Sequence, residues 1–315
     1  MKKISDLTIS AVIACYKDGE AIPIMHSKLT NVFKKIGCKY EIIFVNDGSP
    51  DDTENILENI CSKDSNTVAI FHSRNFNSQN AFTSGMKQAI GDAVVLLDGD
   101  LQDPPELIED FAEKWLEGYD VVYGSRINRD TSRIMNYAYK TFYRIFNKLS
   151  YLEIPLDAGD FSLMDKRVVD EINKTTETDR FIRGLRAWVG FKQIGVPYTR
   201  PERKFGTTTN NFFMNIKWAK KGIFSFSYLP LEFMSIFSYL IVLVSAFALL
   251  VYLIAYFIFP DPPKGITTLI VLVLFIGGVQ LLSISILSEY IGKILEETKK
   301  RPNFIVKKIL NNKKK

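Results

Sequence analysis

The residues best suited to chemistry are two aspartates, Asp98 and Asp100, which follow a run of apolar residues without a break. Alternate side chains of an extended strand end point the same way, so both carboxylates can face one point, with Gln102 in phase. Hard oxygen ligands of this kind suit Mg²⁺ or Mn²⁺ that is shared with the phosphates of a substrate. Two carboxylates at one sheet end repel each other unless a cation neutralises them. The pattern therefore predicts a divalent metal site.

The next acidic residue, Asp103, has a simpler interpretation. Pro104-Pro105-Glu106 has the composition of a helix start, and aspartate is a preferred N-cap residue. We therefore expect Asp103 to cap that helix and not to bind the metal.

Short apolar runs alternate with helical patterns over the first 124 residues. This rhythm is typical of βαβ units and predicts an α/β fold with a mostly parallel sheet. The expected strands are 7–15, 40–46, 67–72, 93–97 and 120–124, and the expected helices are 20–36, 50–62, 77–90 and 104–117. The first strand also resembles the apolar part of a signal peptide, but it has no small-x-small cleavage site before Lys17-Asp18.

Polar residues follow four of the expected strands at the point where each should end. In open parallel sheets, ligands bind beyond the carboxyl ends of the strands. We therefore expect these four segments to meet at one site. They are Tyr16-Lys17-Asp18, Asp47-Gly48-Ser49, Ser73-Arg74-Asn75 and Asp98-Gly99-Asp100.

Several classes of function are disfavoured by composition. Three cysteines near the N-terminus and two isolated histidines give no disulfide framework, no histidine-based metal cage and no convincing catalytic triad. The dinucleotide and P-loop glycine patterns are missing from the sequence. Of the net charge of +5, residues 289–315 contribute nine Lys/Arg against three Glu, so the basic character is local and does not predict a nucleic-acid partner.

Two stretches without a charged residue, 233–259 and 266–288, contain 27 and 23 residues. About 20 helical residues cross a lipid bilayer, so each can span it, and the short linker 260–265 makes the pair a hairpin. Lysine and arginine residues precede the first stretch and follow the second, which predicts that both chain ends are cytoplasmic. The segment 210–232 reads as an interfacial amphipathic helix, and 289–315 as a second interfacial helix with a basic tail.

Four motifs together resemble the family 2 inverting glycosyltransferases of GT-A fold. They are Val45-Asn46-Asp47-Gly48-Ser49, Ser73-Arg74-Asn75-Phe76, Asp98-Gly99-Asp100-Leu101-Gln102-Asp103 and Gly159-Asp160-Phe161-Ser162-Leu163-Met164. The chain is most similar to the bactoprenol (undecaprenyl-phosphate) glucosyltransferase and dolichyl-phosphate mannose synthase branch. The similarity continues through the paired apolar segments, so it covers nearly the whole chain and makes 1–209 the catalytic domain.

The resemblance implies a nucleotide-sugar donor, a divalent metal and a polyprenyl-phosphate acceptor at the membrane. It places the nucleotide sugar near Tyr16, Asp47, Ser73 and Asp98. It places the metal near Asp98, Asp100 and Gln102. The reacting phosphates and sugar are expected near Asp160, Arg126 and Arg203. A homo-oligomer is compatible with the sequence.

Two positions depart from the family pattern by losing a lysine. The usual Gly-Lys after Phe76 is Asn77-Ser78, and the usual Ser/Thr-Lys after Gly206 is Thr208-Thr209. These losses leave three hypotheses open: transfer from a UDP-hexose such as UDP-glucose, transfer from GDP-mannose, or a catalytically silent nucleotide-sugar-binding membrane subunit. The intact pair Asp98 and Asp100 argues against the third.

A further pattern, Arg180, Arg183 and Arg186, has helical spacing with apolar residues between. Such a stripe is typical either of a surface that meets anionic lipid head groups or of a solvated helix face.

Overall fold

The computed structural model describes residues 3–126, 158–201, 229–258 and 265–314. The chain divides into two compact units. The larger contains the described residues up to Pro201 and those from Lys300 onward, and the smaller contains those from Leu229 to Lys299.

The larger unit contains an eight-stranded sheet with the strand order β7-β5-β6-β4-β1-β2-β3-β8. Four of its seven strand pairings are parallel, so the predicted mostly parallel sheet is confirmed. The strands are β1 (Thr8–Cys15), β2 (Lys39–Asn46), β3 (Thr67–His72), β4 (Ala93–Asp98), β5 (Val121–Arg126), β6 (Ala158–Asp165), β7 (Gln193–Tyr198) and β8 (Val306–Leu310).

Helices cover both faces of the sheet and form two hydrophobic clusters, one around Phe33 and Phe111 and the other around Phe82 and Val168. Strands buried on both faces require nearly continuous apolar sequence, which is why β1 and β4 were recognisable. The burial of β1 in the sheet agrees with a strand and not with a signal peptide. The helices are α1 (Ile22–Ile36), α2 (Thr53–Lys63), α3 (Ser78–Gln88), α4 (Ile108–Leu116), α5 (Lys166–Lys174) and α6 (Ile182–Trp188).

The strand order reverses at β1, which lies between β2 and β4. The chain builds β1, β2 and β3 outward on one side and then returns to place β4 on the other side of β1. A reversal of this kind leaves a crevice at the carboxyl ends of the two strands beside it, because their connections diverge. The fold therefore provides a binding crevice at the ends of β1 and β4.

The structure differs from the sequence-based prediction at the C-terminus. Residues 306–310, which we expected in a basic tail, form β8 and pair antiparallel with β3. Lys308 contacts Glu54 and Glu58 of α2, and the Asn311 side-chain amide donates to the Cys61 carbonyl at 2.8 Å. The strand is short, and its lysines form ion pairs with glutamates of α2. Because lysines are common both on edge strands and in solvated tails, its composition does not distinguish the two.

The smaller unit contains two long apolar helices, α7 (Leu229–Ile258) and α8 (Ile266–Thr298). Both are long and apolar enough to cross a membrane, with mean hydropathy of 2.5 and 2.3 in their candidate spans. Helix α8 continues past Ser288 without a break, where we had expected a separate interfacial helix. The expected interfacial helix at 210–232 falls mostly outside the described residues, as does most of the linker 260–265.

Helix α3 packs so closely on β1 that residue 85 has no room for a side chain. A Cβ atom added to Gly85 would lie 2.2 Å from Cγ1 of Val12. Replacing Gly85 by Ala should therefore lower the free energy of unfolding, since overpacking costs about 1–3 kcal/mol and often exceeds the gain of about 1 kcal/mol from helix propensity. Thermal unfolding of the full-length protein in detergent measures the effect.

The double variant Gly85→Ala/Val12→Ala provides the control, because the new methyl group can occupy the space of the removed Cγ1. Its loss of stability should be smaller than the sum of the two single losses. A Gly85→Ala protein that unfolds at or above the wild-type temperature would contradict the close approach.

Candidate active site

The carboxylate pair predicted from the sequence lies at the crevice between β1 and β4. Asp98 is the last residue of β4 and is in register with Ala14 of β1. Asp100 follows after one glycine and is nearly buried, with 4% of its surface exposed. Leu101 has a left-handed backbone conformation (φ 60°), and the Gln102 amide donates to Asp100 Oδ1 at 3.0 Å. The turn after β4 therefore holds the Asp100 carboxylate in place.

Both carboxylates of this pair lie near the guanidinium group of Arg200. Arg200 Nη2 lies 3.7 Å from Asp98 Oδ2 and 3.9 Å from Asp100 Oδ2. Arg200 follows the end of β7, which is parallel to β5, so its side chain starts at the same sheet edge. Arg200 was not predicted as a site residue, because β7 was not among the expected strands. Arg203, which was predicted, lies within residues 202–228, outside the described residues.

The electrostatics of the site are dominated by gathered negative charge. The pKa of Asp98 is raised to about 8 by desolvation and by the neighbouring carboxylates of Asp103, Asp100 and Asp160, and Arg200 partly offsets this. The Asp98 side chain is 38% exposed, so its carboxylate still reaches water while these neighbouring carboxylates repel it. A divalent cation between Asp98 and Asp100 would relieve this repulsion.

A shared metal site fits this donor set better than a metal site built from protein ligands alone. Within residues 3–126, 158–201, 229–258 and 265–314, no group of three or more His, Cys, Asp or Glu could hold a metal ion. Mg²⁺ and related ions commonly take one or two carboxylates and complete their shell with water and substrate phosphates. Asp98 and Asp100 meet that requirement. Gln102 lies beside them, but its side-chain Nε2 donates to the Pro201 carbonyl at 3.2 Å.

Asp103 does not cap a helix, contrary to our prediction. A short 3₁₀ turn at Pro105–Leu107 precedes α4, and no side chain caps it. The Asp103 carboxylate is buried and accepts a hydrogen bond from the Tyr198 hydroxyl at 3.0 Å. Arg126 Nε donates to the same Tyr198 oxygen at 3.2 Å. Asp103 therefore connects the turn after β4 to β7 and, through Tyr198, to Arg126.

Arg126 lies at the end of β5, half-buried beside the carboxylates, and its pKa is raised. Burial opposes this shift, but Tyr198, Asp103 and Asp98 outweigh it. A Cβ atom at residue 159 would lie 2.9 Å from Arg126 Nη2, so the glycine of the Gly159-Asp160 motif makes room for the guanidinium group. The predicted phosphate-facing arginine is thus near the predicted metal ligands.

Asp160 on β6 completes the group, and it is close enough to Asp98 to contribute to the shift in its pKa. Its Oδ2 accepts from Gln79 Nε2 at 2.9 Å, and its Oδ1 lies 3.3 Å from Arg183 Nε. Gln79 Oε1 accepts in turn from the Ile182 amide at 2.8 Å, at the start of α6. Gln79 was not identified from the sequence, because a single amide in a helix carries no recognisable pattern.

The arginine pattern at 180–186 is neither a lipid-facing stripe nor a solvated helix face. Arg180 and Arg186 are 2% and 0% exposed. Burial lowers the pKa of Arg186 to about 10, against the attraction of Asp160. Arg186 Nη1 donates to the Gly159 carbonyl at 3.4 Å, so this arginine packs behind the Asp160 strand.

Apart from Asp98, which ends β4, the predicted nucleotide-binding residues lie at the ends of β1, β2 and β3. Tyr16 is exposed, and the neighbouring Lys17 amide donates to Ser49 Oγ at 2.8 Å, which joins the first two strand ends. Ser73 is exposed at the end of β3. Asp47 is 2% exposed, so its present contacts are internal. The structure therefore brings the four strand-end segments to one edge, with Asp47 less open to a ligand than we expected.

One of the departures from the family pattern has a structural explanation. Asn77 has φ 74° and ψ 162°, a backbone conformation that is almost confined to glycine and that strains any residue with a side chain. Its side chain accepts from the Asn80 amide and so caps α3, which begins at Ser78. Asn77 thus adopts a backbone conformation that glycine would adopt without strain, and the cap that it forms offsets part of that cost. Ser78, at the position of the usual lysine, carries no charge. Thr208-Thr209 lies outside the described residues.

Residues 10–172 match the family described as Glycosyl transferase family 2. An uncharacterized glycosyltransferase of Synechocystis sp. is 39% identical over 303 residues, which cover 95% of this chain and 95% of that protein. A prophage bactoprenol glucosyl transferase homolog of Escherichia coli is 37% identical over 307 residues, covering 96% of this chain and 99% of that protein. The bactoprenol glucosyl transferase of Shigella phage SfII is 37% identical over 306 residues, covering 96% and 98%.

Among solved structures, mannosyl-3-phosphoglycerate synthase from Rubrobacter xylanophilus superposes with a TM-score of 0.49 at 14% identity, over 69% of this chain and 72% of that one. The family match covers half of this chain, and the relatives cover almost all of it. The resemblance seen in the motifs is therefore confirmed: the chain is a glycosyltransferase of GT-A-type α/β fold and belongs to glycosyl transferase family 2.

Proposed function

We propose that this protein transfers a hexose from a UDP-sugar, with UDP-glucose as the first candidate, to a polyprenyl phosphate such as undecaprenyl phosphate, with inversion. The lipid-linked sugar would serve cell-envelope glycan modification. The approach of the Asp98 and Asp100 carboxylates to one guanidinium nitrogen of Arg200 is the observation that carries the proposal, because two carboxylates that face one point suit a cation shared with a diphosphate. Relatives named bactoprenol glucosyl transferase, 37% identical over 96% of the chain, support the acceptor class.

The first requirement of the reaction is to stabilise the departing nucleotide diphosphate. Bound Mg²⁺ or Mn²⁺ would supply Lewis-acid stabilisation of the charge that develops there. We assign Asp98 and Asp100 to hold the ion, with Gln102 beside them. Arg126 and Arg200 add fixed positive charge at the same edge, and a guanidinium group remains charged without exchanging a proton during the reaction. Arg203 is a further candidate.

The second requirement is a nucleophile, and the acceptor already supplies one. A phosphate monoester has a second pKa of about 6, so it is mostly dianionic at neutral pH. Asp160 therefore need not remove a proton. Its two oxygens are oriented by Gln79 and Arg183, which suits a carboxylate that positions the acceptor or a sugar hydroxyl. Direct displacement by the phosphate oxygen inverts the anomeric carbon.

The proposed acceptor and the path of the chain both support a membrane location. Residues on both sides of the apolar pair belong to one folded unit, because β8 pairs with β3. If α7 and α8 both cross the bilayer, two crossings return the chain to the side on which it began. The flanking lysines support a cytoplasmic location for that side, where nucleotide sugars are available.

The donor is identified by a transfer assay on membranes that contain the full-length protein. Labelled UDP-glucose, UDP-GlcNAc, UDP-galactose and GDP-mannose are each supplied with undecaprenyl phosphate and Mn²⁺ or Mg²⁺. We expect chloroform-soluble label from one UDP-hexose, and loss of transfer with EDTA. Label from GDP-mannose alone would replace the proposed donor, and no label from any donor would favour a silent binding subunit.

The variant Asp100→Asn tests the metal assignment. It keeps the size of the side chain but removes a charge that we assign to the metal. Metal ions supply several kcal/mol of transition-state stabilisation, so we expect the transfer rate to fall about 100-fold or more. Asp110→Asn, at an exposed position on α4, is the matched control and should keep the wild-type rate. Wild-type turnover by Asp100→Asn in equal amounts of folded protein would discredit the assignment.

The variant Arg200→Lys tests the arginine that the structure adds to the site. Lysine keeps the positive charge but loses the planar fork that can contact two groups at once. We expect the transfer rate to fall about 10- to 100-fold, with unfolding temperature unchanged. Arg167→Lys, a substitution of the same type at a side chain that is 64% exposed, should have no effect on transfer. Equal rates for the two variants would remove Arg200 from the mechanism.

A further inference from the structure

The segment that follows the two apolar helices packs against the edge of the sheet near the predicted nucleotide-binding loops. We call residues 303–310 the C-terminal segment. The Ser73 amide donates to the Ile305 carbonyl at 3.0 Å. The Phe304 ring stacks on His72, with ring centroids 5.3 Å apart and an interplanar angle of 12°. The C-terminal segment thus contacts the last residue of β3 and the first residue of the loop that follows it.

His72 also contacts Asp47, the residue that follows β2. Its side chain is fully buried, and its Nδ1 lies 2.8 Å from Asp47 Oδ1. A carboxylate oxygen only accepts, so Nδ1 carries the hydrogen. The same Asp47 oxygen accepts from the Phe76 amide at 2.8 Å. A continuous series of contacts therefore runs from Phe304 through His72 and Asp47 to Phe76.

These contacts join two loops that also touch directly. Gly48 has φ 64°, and a Cβ atom there would lie 2.5 Å from the backbone carbonyl carbon of Arg74. The loop after β2 and the loop after β3 are therefore in backbone contact, and Asp47 fastens one to the other. Exposed Ser73 and Arg74 lie on the second loop, at the sheet edge where ligands of this fold class bind.

We propose that Phe304 and His72 are positioning residues for the donor nucleotide: the C-terminal segment fixes the loops after β2 and β3 through Asp47, and so makes the return of the chain from the apolar helices part of the donor site. This inference rests on the proposed function for the identity of the ligand. The loop contact itself does not depend on that identity.

Other parts of the C-terminal segment attach elsewhere and separate this role from general stability. Lys307 forms an ion pair with Glu54 of α2 at 3.3 Å, and its side chain is 58% exposed. This pair fastens the same segment to α2 and not to His72, Asp47 or the loop after β3. Lys307→Ala therefore weakens the attachment without removing the ring stack.

The test compares Phe304→Ala, Phe304→Tyr and Lys307→Ala in the full-length protein in lipid nanodiscs. UDP affinity is measured by calorimetry with Mn²⁺ present, and amide hydrogen exchange is followed in a peptide that contains the Phe76 amide. We expect Phe304→Ala to weaken UDP binding about three- to tenfold, the range for one lost ring stack, and to speed exchange at Phe76. Phe304→Tyr keeps the ring and should restore both values, and Lys307→Ala should leave both unchanged.

A second pair of variants tests the hydrogen bond to Asp47. The side-chain amide of His72→Asn can donate in the place of Nδ1, whereas His72→Leu cannot. We expect amide exchange at Phe76 to be faster in His72→Leu than in His72→Asn. We also expect UDP to bind more weakly to His72→Leu than to His72→Asn. Equal behaviour of the two variants would overturn the role of the hydrogen bond.

The outcomes also separate this inference from the proposed function. Unchanged exchange at Phe76 in Phe304→Ala overturns the loop contact, whatever the ligand is. Faster exchange with wild-type UDP affinity leaves Phe304 with a structural role only and overturns its role in donor binding. A wild-type protein that does not bind UDP overturns both the UDP donor and the donor role of Phe304, while the exchange result still decides the loop contact.

Discussion

The structure of the site depends on one electrostatic constraint, the gathering of carboxylates at the carboxyl end of β4. Asp98, Asp100 and Asp103 lie within six residues, and Asp160 approaches from β6. Such a cluster is stable only with compensating positive charge, because like charges in a partly desolvated site disfavour ionisation. Arg126 and Arg200 provide part of that charge from β5 and from the end of β7. A cation shared with a diphosphate would provide the rest. The repulsion that destabilises the unliganded site would then be relieved when a metal-bound donor binds.

The sheet topology explains why these groups meet although they are far apart in the sequence. The strand order reverses at β1, and the antiparallel β6 lies between β4 and β5, so Asp98, Asp160 and Arg126 come from three adjacent strands. β7 then pairs with β5 on the outer side and brings Arg200 to the same edge. At the other end of the sheet, β8 continues the row past β3 and brings Phe304 to His72. The contacts of the proposed metal site and of the proposed nucleotide site therefore lie along one edge of a single sheet.

The parts of this arrangement that were predictable from sequence are those with local signals. Strands buried on both faces read as apolar runs, and polar residues directly after them marked Asp98 and Asp100 as neighbours of the crevice. Arg200 and Gln79 gave no such signal, since their roles come from strand pairing and from a helix that packs near Asp160. Arg180 and Arg186 had the spacing of a surface stripe, yet they are buried, because periodicity along a helix does not show which face meets the core. β8 was not predicted, because its lysines resemble those of a solvated tail. Asp103 was predicted to cap a helix, because its hydrogen-bond partner Tyr198 is 95 residues away in the sequence.

The central claim is that Asp98 and Asp100 hold a divalent cation against the diphosphate of the donor. The most direct measurement is anomalous scattering from crystals of the full-length protein grown with UDP and Mn²⁺, recorded near the manganese absorption edge. We predict a manganese peak within coordination distance, about 2.0–2.2 Å, of oxygens from these carboxylates and of the diphosphate. A peak elsewhere in the protein, or UDP bound at this edge without manganese, would contradict the account.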